Sequence, residues 1–287
     1  HVQLFGYLGF KLPRYMHIAQ IMRLDEAGNK KKLSKRDMGA NMDDYTRLGY
    51  CPEAVCEYVM TLLNSNYEEW HMQNPDKPYT DFPFNIKKMS TSGCLFDFNK
   101  LNDVSKNVIS VMTAKDVYEN VAAWAKVYDP EFFEIFTADP DFSTAAMNID
   151  RENPKPRKDI AKWNEVKDYV SYFYKSLYQP DYTMPENISK EDAAAILAKY
   201  AETFSLADDK DTWFAKIKDM CEPLGFTPNV KEFKKNPEAF KGHVGDVSTV
   251  IRVAVTGRRN TPDLYAIMSL LGEDKVKERL SDAISNM

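Results

Sequence analysis

From Asn102 to the carboxyl end, apolar residues recur at helical spacing, and no alternating strand pattern is sustained after Phe98. A chain patterned this way must bury its hydrophobic faces helix against helix. Asp103 to Met112 sets Val104, Val108, Ile109 and Met112 on one face, and Thr113 is placed to cap a helix running through Val127. Ile160 to Leu177, with Trp163, Val166, Tyr169, Val170, Phe173 and Leu177, reads as a further helix. Ser189 caps one that runs to Phe204, and Asp211 to Leu224 stops near Gly225. Asp246 to Val255 leads into a Thr256-Gly257 stop. Thr261-Pro262-Asp263 offers a cap and a first-turn proline, and Gly272 separates that helix from the last, Lys275 to Ile284. The expected fold is therefore mainly α: a residual α/β part at the front, then an all-α helical bundle.

The front is built differently. Residues 1 to 36 read as a helix, an extended apolar segment from Met16 to Leu24, a turn over Asp25 to Asn29, and a basic loop. Glu53 to Leu63 is helical with Pro52 in its first turn, whereas residues 64 to 85, rich in Asn, Pro and Asp, read as an irregular excursion. Asn153-Pro-Lys-Pro156 and Gln179 to Pro185 are the expected hinges between subdomains. There is no internal repeat.

Composition excludes several classes. With 44% hydrophobic and 28% charged residues, 11 Gly and 15 Pro, the chain is neither disordered nor low-complexity. No apolar run approaches the length of a membrane span. The opening residues carry no signal-peptide pattern, and His1 in place of Met reads as an internal cut. Four scattered cysteines point to a reducing compartment. Cys51 and Cys56 are spaced too widely for a zinc knuckle, and His1, His17, His71 and His243 complete no ligand set, so no metal site is expected.

Charge is unevenly placed. Lys11 to Arg36 holds eight Lys or Arg against two acids, a net +6, which leaves −11 for the rest of a chain whose formal charge is −5. Such polarity suits a front end that meets a polyanion, although a solvated basic loop would look the same. Its sharpest element is Lys32-Leu33-Ser34-Lys35-Arg36. Cations on a short loop can neutralise a triphosphate as charge builds on its oxygens, with Ser34 as a hydrogen bonder.

This pentapeptide resembles the KMSKS signature of class I aminoacyl-tRNA synthetases, in the KLSKR spelling usual in bacterial-type glutamyl-tRNA synthetases. His1 to Phe10, Pro13 and His17 to Leu24 are similar to that family's H..LY..LG...P.F.H segment. Gly93, Phe96-Asp97 and Lys100-Leu101 resemble its SG..FD..KL pattern. Ile251 to Arg258, Thr261 to Leu264 and Leu271-Gly272 resemble its LR.ALTG...SP.L....LG element. His17-Ile-Ala-Gln20 imitates the HIGH motif but lies too close to Lys32 and lacks the glycine and second histidine, so it reads as a structural apolar segment.

The resemblance implies a carboxyl-terminal fragment of a glutamate–tRNA ligase. Residues 1–127 would carry the ATP loop and a stem-contact fold, and 128–180 and 181–287 two anticodon-binding helical subdomains. The whole enzyme would use ATP and Mg²⁺ to form a glutamyl-adenylate and pass glutamate to its tRNA, as a cytoplasmic monomer. Lys35 and Lys32 would be catalytic cations, with Lys32, Leu33, Ser34, Lys35 and Arg36 forming the ATP loop. Arg157, Arg151 and Arg258 are the candidates for tRNA contact, with Lys158 and Arg259 beside them. Without the HIGH motif and glutamate pocket the fragment alone would be inactive. The all-α carboxyl part argues against glutaminyl-tRNA synthetases, which end in β-barrels. A stand-alone helical RNA-binding module is the alternative, and a scaffold with an incidental lysine loop a more distant one.

Overall fold

A computed structural model describes residues 1–89 and 93–286. The chain divides into two compact units, residues 1–109 and 110–287.

In the first unit α1 (Val2–Tyr7) buries none of its residues. An irregular stretch leads to β1 (Ile21–Leu24), which pairs antiparallel with β2 (Lys30–Lys32) and parallel with β3 (Cys94–Leu95). The β1–β2 turn follows from its sequence: Asp25 Oδ1 accepts from the amides of Ala27 and Asn29 at 3.0 and 2.8 Å, and Gly28 takes φ +82°. Gly93 has a steric reason to be glycine, because a Cβ there would lie 2.6 Å from Met22 Cγ and 3.2 Å from Gln20 O. Only a bare backbone lets β3 approach β1.

Helices α2 (Met42–Leu48) and α3 (Pro52–Leu63) follow, α2 capped by the Asn41 side chain and α3 entered through Pro52. The stretch expected to be irregular contains a helix, α4 (Tyr67–Gln73). Tyr67 and Trp70, one turn apart, both meet the Phe82 ring edge-on at 5.2 and 5.4 Å, and this aromatic face supplies the packing that the polar composition hides. Helix α5 (Phe98–Ser110) closes the unit over a core of Tyr45, Tyr50, Val55, Tyr58 and Leu101.

The second unit holds α6 (Ala114–Tyr128), α7 (Pro130–Thr137), α8 (Pro140–Asn148), α9 (Val166–Tyr169), α10 (Lys190–Thr203), α11 (Lys210–Asp219), α12 (Val230–Lys235), α13 (Val244–Thr256), α14 (Leu264–Leu271) and α15 (Glu273–Ser285). Among its described residues, strand pairing is limited to a single bridge between Thr227 and His243, so the mainly α expectation is met. The centre is α13, whose Val247, Val250, Ile251 and Ala254 are completely buried, and which packs against α10 and α15.

Two expectations are corrected. Ile160 to Leu177 is not one helix: a 3₁₀ turn at Trp163–Glu165, the single turn α9 and a second 3₁₀ turn at Ser171–Phe173 replace it. The Asp168 carbonyl is taken by Arg258 Nη2 and the Tyr172 carbonyl by Arg279 Nη2, each at 2.6 Å, so two acceptors of the helical ladder are spent on guanidinium groups. The cap of α14 is Asp263, accepting from Ala266 N at 2.9 Å, which leaves Thr261 and Pro262 outside the helix.

Candidate functional site

Two places gather the residues singled out by sequence, one in each unit. In the first, the basic pentapeptide starts at the end of β2. Leu33 N donates to Ile21 O at 3.0 Å, which continues the sheet pairing by one bond. Asp37 then folds the loop back: its Oδ2 accepts from Ser34 N at 2.7 Å, its amide donates to Ser34 O at 3.0 Å, and Arg23 Nε on β1 lies 2.9 Å from the same carboxylate. These bonds hold the Asp37 carboxyl below its ordinary pKa, the Ser34 amide being the largest cause. Ser34 Oγ accepts from Arg36 N at 3.3 Å.

The loop ends at Gly39, with φ +84°, whose carbonyl accepts from the buried Tyr45 hydroxyl at 2.6 Å. A Cβ at Gly39 would sit 3.0 Å from Phe98 Cζ. The backbone is thus pinned at both ends, while Lys32, Lys35 and Arg36 project into solvent and form no ion pair with any described residue. An unpaired cluster of cations on a fixed backbone suits a polyanionic ligand. Asp37, which clamps the loop, escaped the motif reading although it follows Arg36 directly. The segment around His17 is not buried: His17 is exposed and Ile18 is 51% exposed.

The second place is a cleft of about 160 Å³ lined by Arg157, Asp159, Tyr169, Tyr172, Arg258 and Asn260, with Thr261 and Pro262 as its rim. Arg157 Nε and Nη2 donate to the two oxygens of Asp159 at 2.6 and 3.1 Å, and Nη2 reaches Asn260 Oδ1 at 3.4 Å. Arg258 is held more fully: Nη1 and Nη2 donate to Asp168 Oδ2 and Oδ1 at 3.0 and 2.6 Å, and Nη2 also reaches Ser171 Oγ at 3.1 Å. Its guanidinium carbon lies 5.8 Å from the centre of the Tyr172 ring. Arg252, behind the rim, donates to Pro262 O at 2.8 Å and to the Thr261 hydroxyl, and burial lowers its pKa. Asp150, at φ +57°, fixes both sides: its carboxylate accepts from Asp263 N at 2.9 Å and its carbonyl from Arg157 N at 3.2 Å. The cleft is lined by paired guanidinium and carboxylate groups, and its guanidinium planes present stacking faces and hydrogen-bonding edges.

Of the three arginine candidates, the structure brings Arg157 and Arg258 onto one cleft and keeps Arg151 out of it. Arg151 is 8% exposed, and its Nε and Nη1 donate to the carbonyls of Met147 and Met112 at 2.9 and 3.3 Å. Its guanidinium is turned inward and suits a structural role. Arg259 donates to the carbonyls of Thr183 and Met184, and Lys158 is exposed. Asn260, Asp159, Asp168 and Arg252 were passed over in the sequence, because nothing local marks residues that converge from three separated segments.

Residues 154–284 match the family model described as an anticodon binding domain. The chain is 45% identical over 281 residues to a glutamate–tRNA ligase of Acetivibrio thermocellus, a match spanning 98% of this chain and 51% of the relative. It is 43% identical over 285 residues to one of Clostridium perfringens strain 13, spanning 98% and 52%. Among solved structures, a glutamate–tRNA synthetase from Elizabethkingia anophelis superposes with a TM-score of 0.61 at 15% identity, over 99% of this chain and 53% of that one. The chain spans about half the length of the curated relatives it matches. The resemblance read from the motifs is borne out across nearly all of the chain.

Proposed function

We propose, from a chain related to glutamate–tRNA ligases over nearly its whole length, that it carries the tRNA-gripping part of such an enzyme together with its ATP loop. The single observation behind this reading is the meeting of Arg157 and Arg258 on one cleft inside the stretch that matches the anticodon-binding model. A nucleobase splayed from a single-stranded loop would stack on the guanidinium faces and have its edge read by Asn260 and Arg157. Both arginines are already neutralised by carboxylates, so the cleft favours a planar, uncharged base over a phosphate. Backbone contacts would fall to the exposed cations elsewhere, and the region to about residue 127 would touch the stem.

In the whole enzyme Lys35 and Lys32 would neutralise the triphosphate of ATP during adenylate formation. Their exposed, unpaired ammonium groups fit such a ligand, and Mg²⁺ would add the remaining counter-charge. Glutamate activation and transfer, like the cytoplasmic setting of protein synthesis, belong to that whole enzyme.

The test is binding of the chain to a transcript of the glutamate tRNA. Arg157→Ala and Arg258→Ala should each weaken it by roughly 1–3 kcal/mol, and should erase much of the discrimination against an anticodon variant. Weakening that is equal for cognate and variant transcripts would assign these arginines to backbone contact and reject the base-pocket reading.

A further inference from the structure

Outside both sites, helices α3, α4 and α5 enclose a cavity of about 350 Å³ in the first unit, and its wall contains unspent hydrogen-bonding capacity. Tyr67 is 1% exposed, yet its hydroxyl has no partner among the described residues, and the same is true of His71 Nδ1. The two rings lie stacked, 5.9 Å apart at 14°. The third group is Glu57, whose side chain is 13% exposed and whose ion-pair neighbour is His71 Nε2 at 3.7 Å, beyond hydrogen-bond reach. Unsatisfied groups of this kind are rare in folded proteins and need a partner. Nothing in the ATP-loop and anticodon-pocket reading uses them.

Their chemistry specifies the partner. Glu57 is a carboxylate acceptor and the phenol oxygen of Tyr67 accepts as well. His71 turns Nε2 toward Glu57, so its Nδ1 lone pair lies on the other side of the ring and takes no part in receiving a group at the carboxylate. A buried carboxylate and a phenol oxygen on one cavity wall suit the N–H donors and the positive charge of a primary ammonium. Lys100 and Glu68 neutralise each other at the rim with Nζ and Oε1 2.5 Å apart, and Val104 gives the wall an apolar strip for an alkyl stem. We propose that this cavity is a binding site for a small alkyl ammonium compound, with Glu57 and Tyr67 receiving its head group.

The experiment is isothermal titration of the full 287-residue chain with n-butylammonium, against potassium chloride at equal ionic strength. Saturable binding is expected with butylammonium and not with potassium. Glu57→Gln should weaken it by the order of tenfold or more, the scale of a lost charged hydrogen bond. Tyr67→Phe should weaken it less, and Glu69→Gln, an equal charge change on α4 outside the cavity lining, should leave it intact. Circular dichroism verifies the fold of each variant, and Tyr67→Phe carries the test should Glu57→Gln not fold. Absence of saturable binding, equal affinity in the folded cavity variants, an equal loss in Glu69→Gln, or the same response to potassium would each overturn the proposal.

Discussion

Single residues show how far a charge can be read without its surroundings. Glu57 is one acid among the 43 Asp and Glu of the chain, and nothing in its neighbourhood along the sequence distinguishes it. In the fold, burial raises its carboxyl pKa, opposed by the His71 ring. A carboxyl raised in this way costs stability once the pH exceeds its ordinary range. Below that range both folded and unfolded states hold the proton, and the cost disappears. Glu57→Gln should therefore stabilise the chain at pH 7, by the order of 1 kcal/mol, and the gain should shrink as the pH falls through the carboxylate range. Urea denaturation of both chains at pH 7 and pH 4 measures it; a gain that is unchanged at pH 4 would assign the effect to packing. The arginines teach the same lesson. Arg151 and Arg157 are close in sequence and alike in type, yet one donates to the carbonyls of Met147 and Met112 inside the fold and the other lines a cleft.

At the level of elements, caps were easy to read and the period of a short aromatic run was not. Ser189, Thr113 and Gly257 all sit where their chemistry predicts, as side-chain caps of α10 and α6 and the left-handed stop of α13. Trp163, Val166, Tyr169 and Tyr172 recur every three residues, a spacing compatible with an α-helical stripe but native to 3₁₀ turns. What decides between them is Arg258 and Arg279, which arrive from far along the chain to take the carbonyls. The cap of α14 falls on Asp263 for a related reason: Thr261 and Asp263 are both good cap residues, and Arg252 occupies the hydroxyl of the first. Asp263 does two jobs, capping Ala266 N and pairing with Lys210 Nζ at 2.6 Å. Asp263→Ala should lower stability by about 1–2 kcal/mol in chemical denaturation, whereas Asp263→Asn, which keeps a cap oxygen, should lose less than half of that.

For the whole molecule, the charge arithmetic separates two regions that the net value of −5 conceals: a basic front segment and an acidic remainder that includes a cleft with neutralised arginines. The order of the motifs carries the resemblance to glutamate–tRNA ligases, because each motif is contiguous in sequence whereas the contacts between them are not. The cleft was legible only in part, because its walls come from segments separated by as many as 103 positions, as between Arg157 and Asn260. The 287-residue chain should bind tRNA in a salt-sensitive way and fail in ATP–pyrophosphate exchange. In the complete enzyme, Lys35→Ala should slow adenylate formation far more than it weakens tRNA binding, and equal effects on both would sink the phosphate role. The lysine loop also has a mechanical character. Between the Leu33 bond to Ile21 and the Gly39 bond to Tyr45 the loop spans only residues 34 to 38, and Asp37 ties it once more to Ser34 and to Arg23 of β1, a short leash with a knot between its two posts. So short a tether has little wandering to give up when it tightens around a ligand.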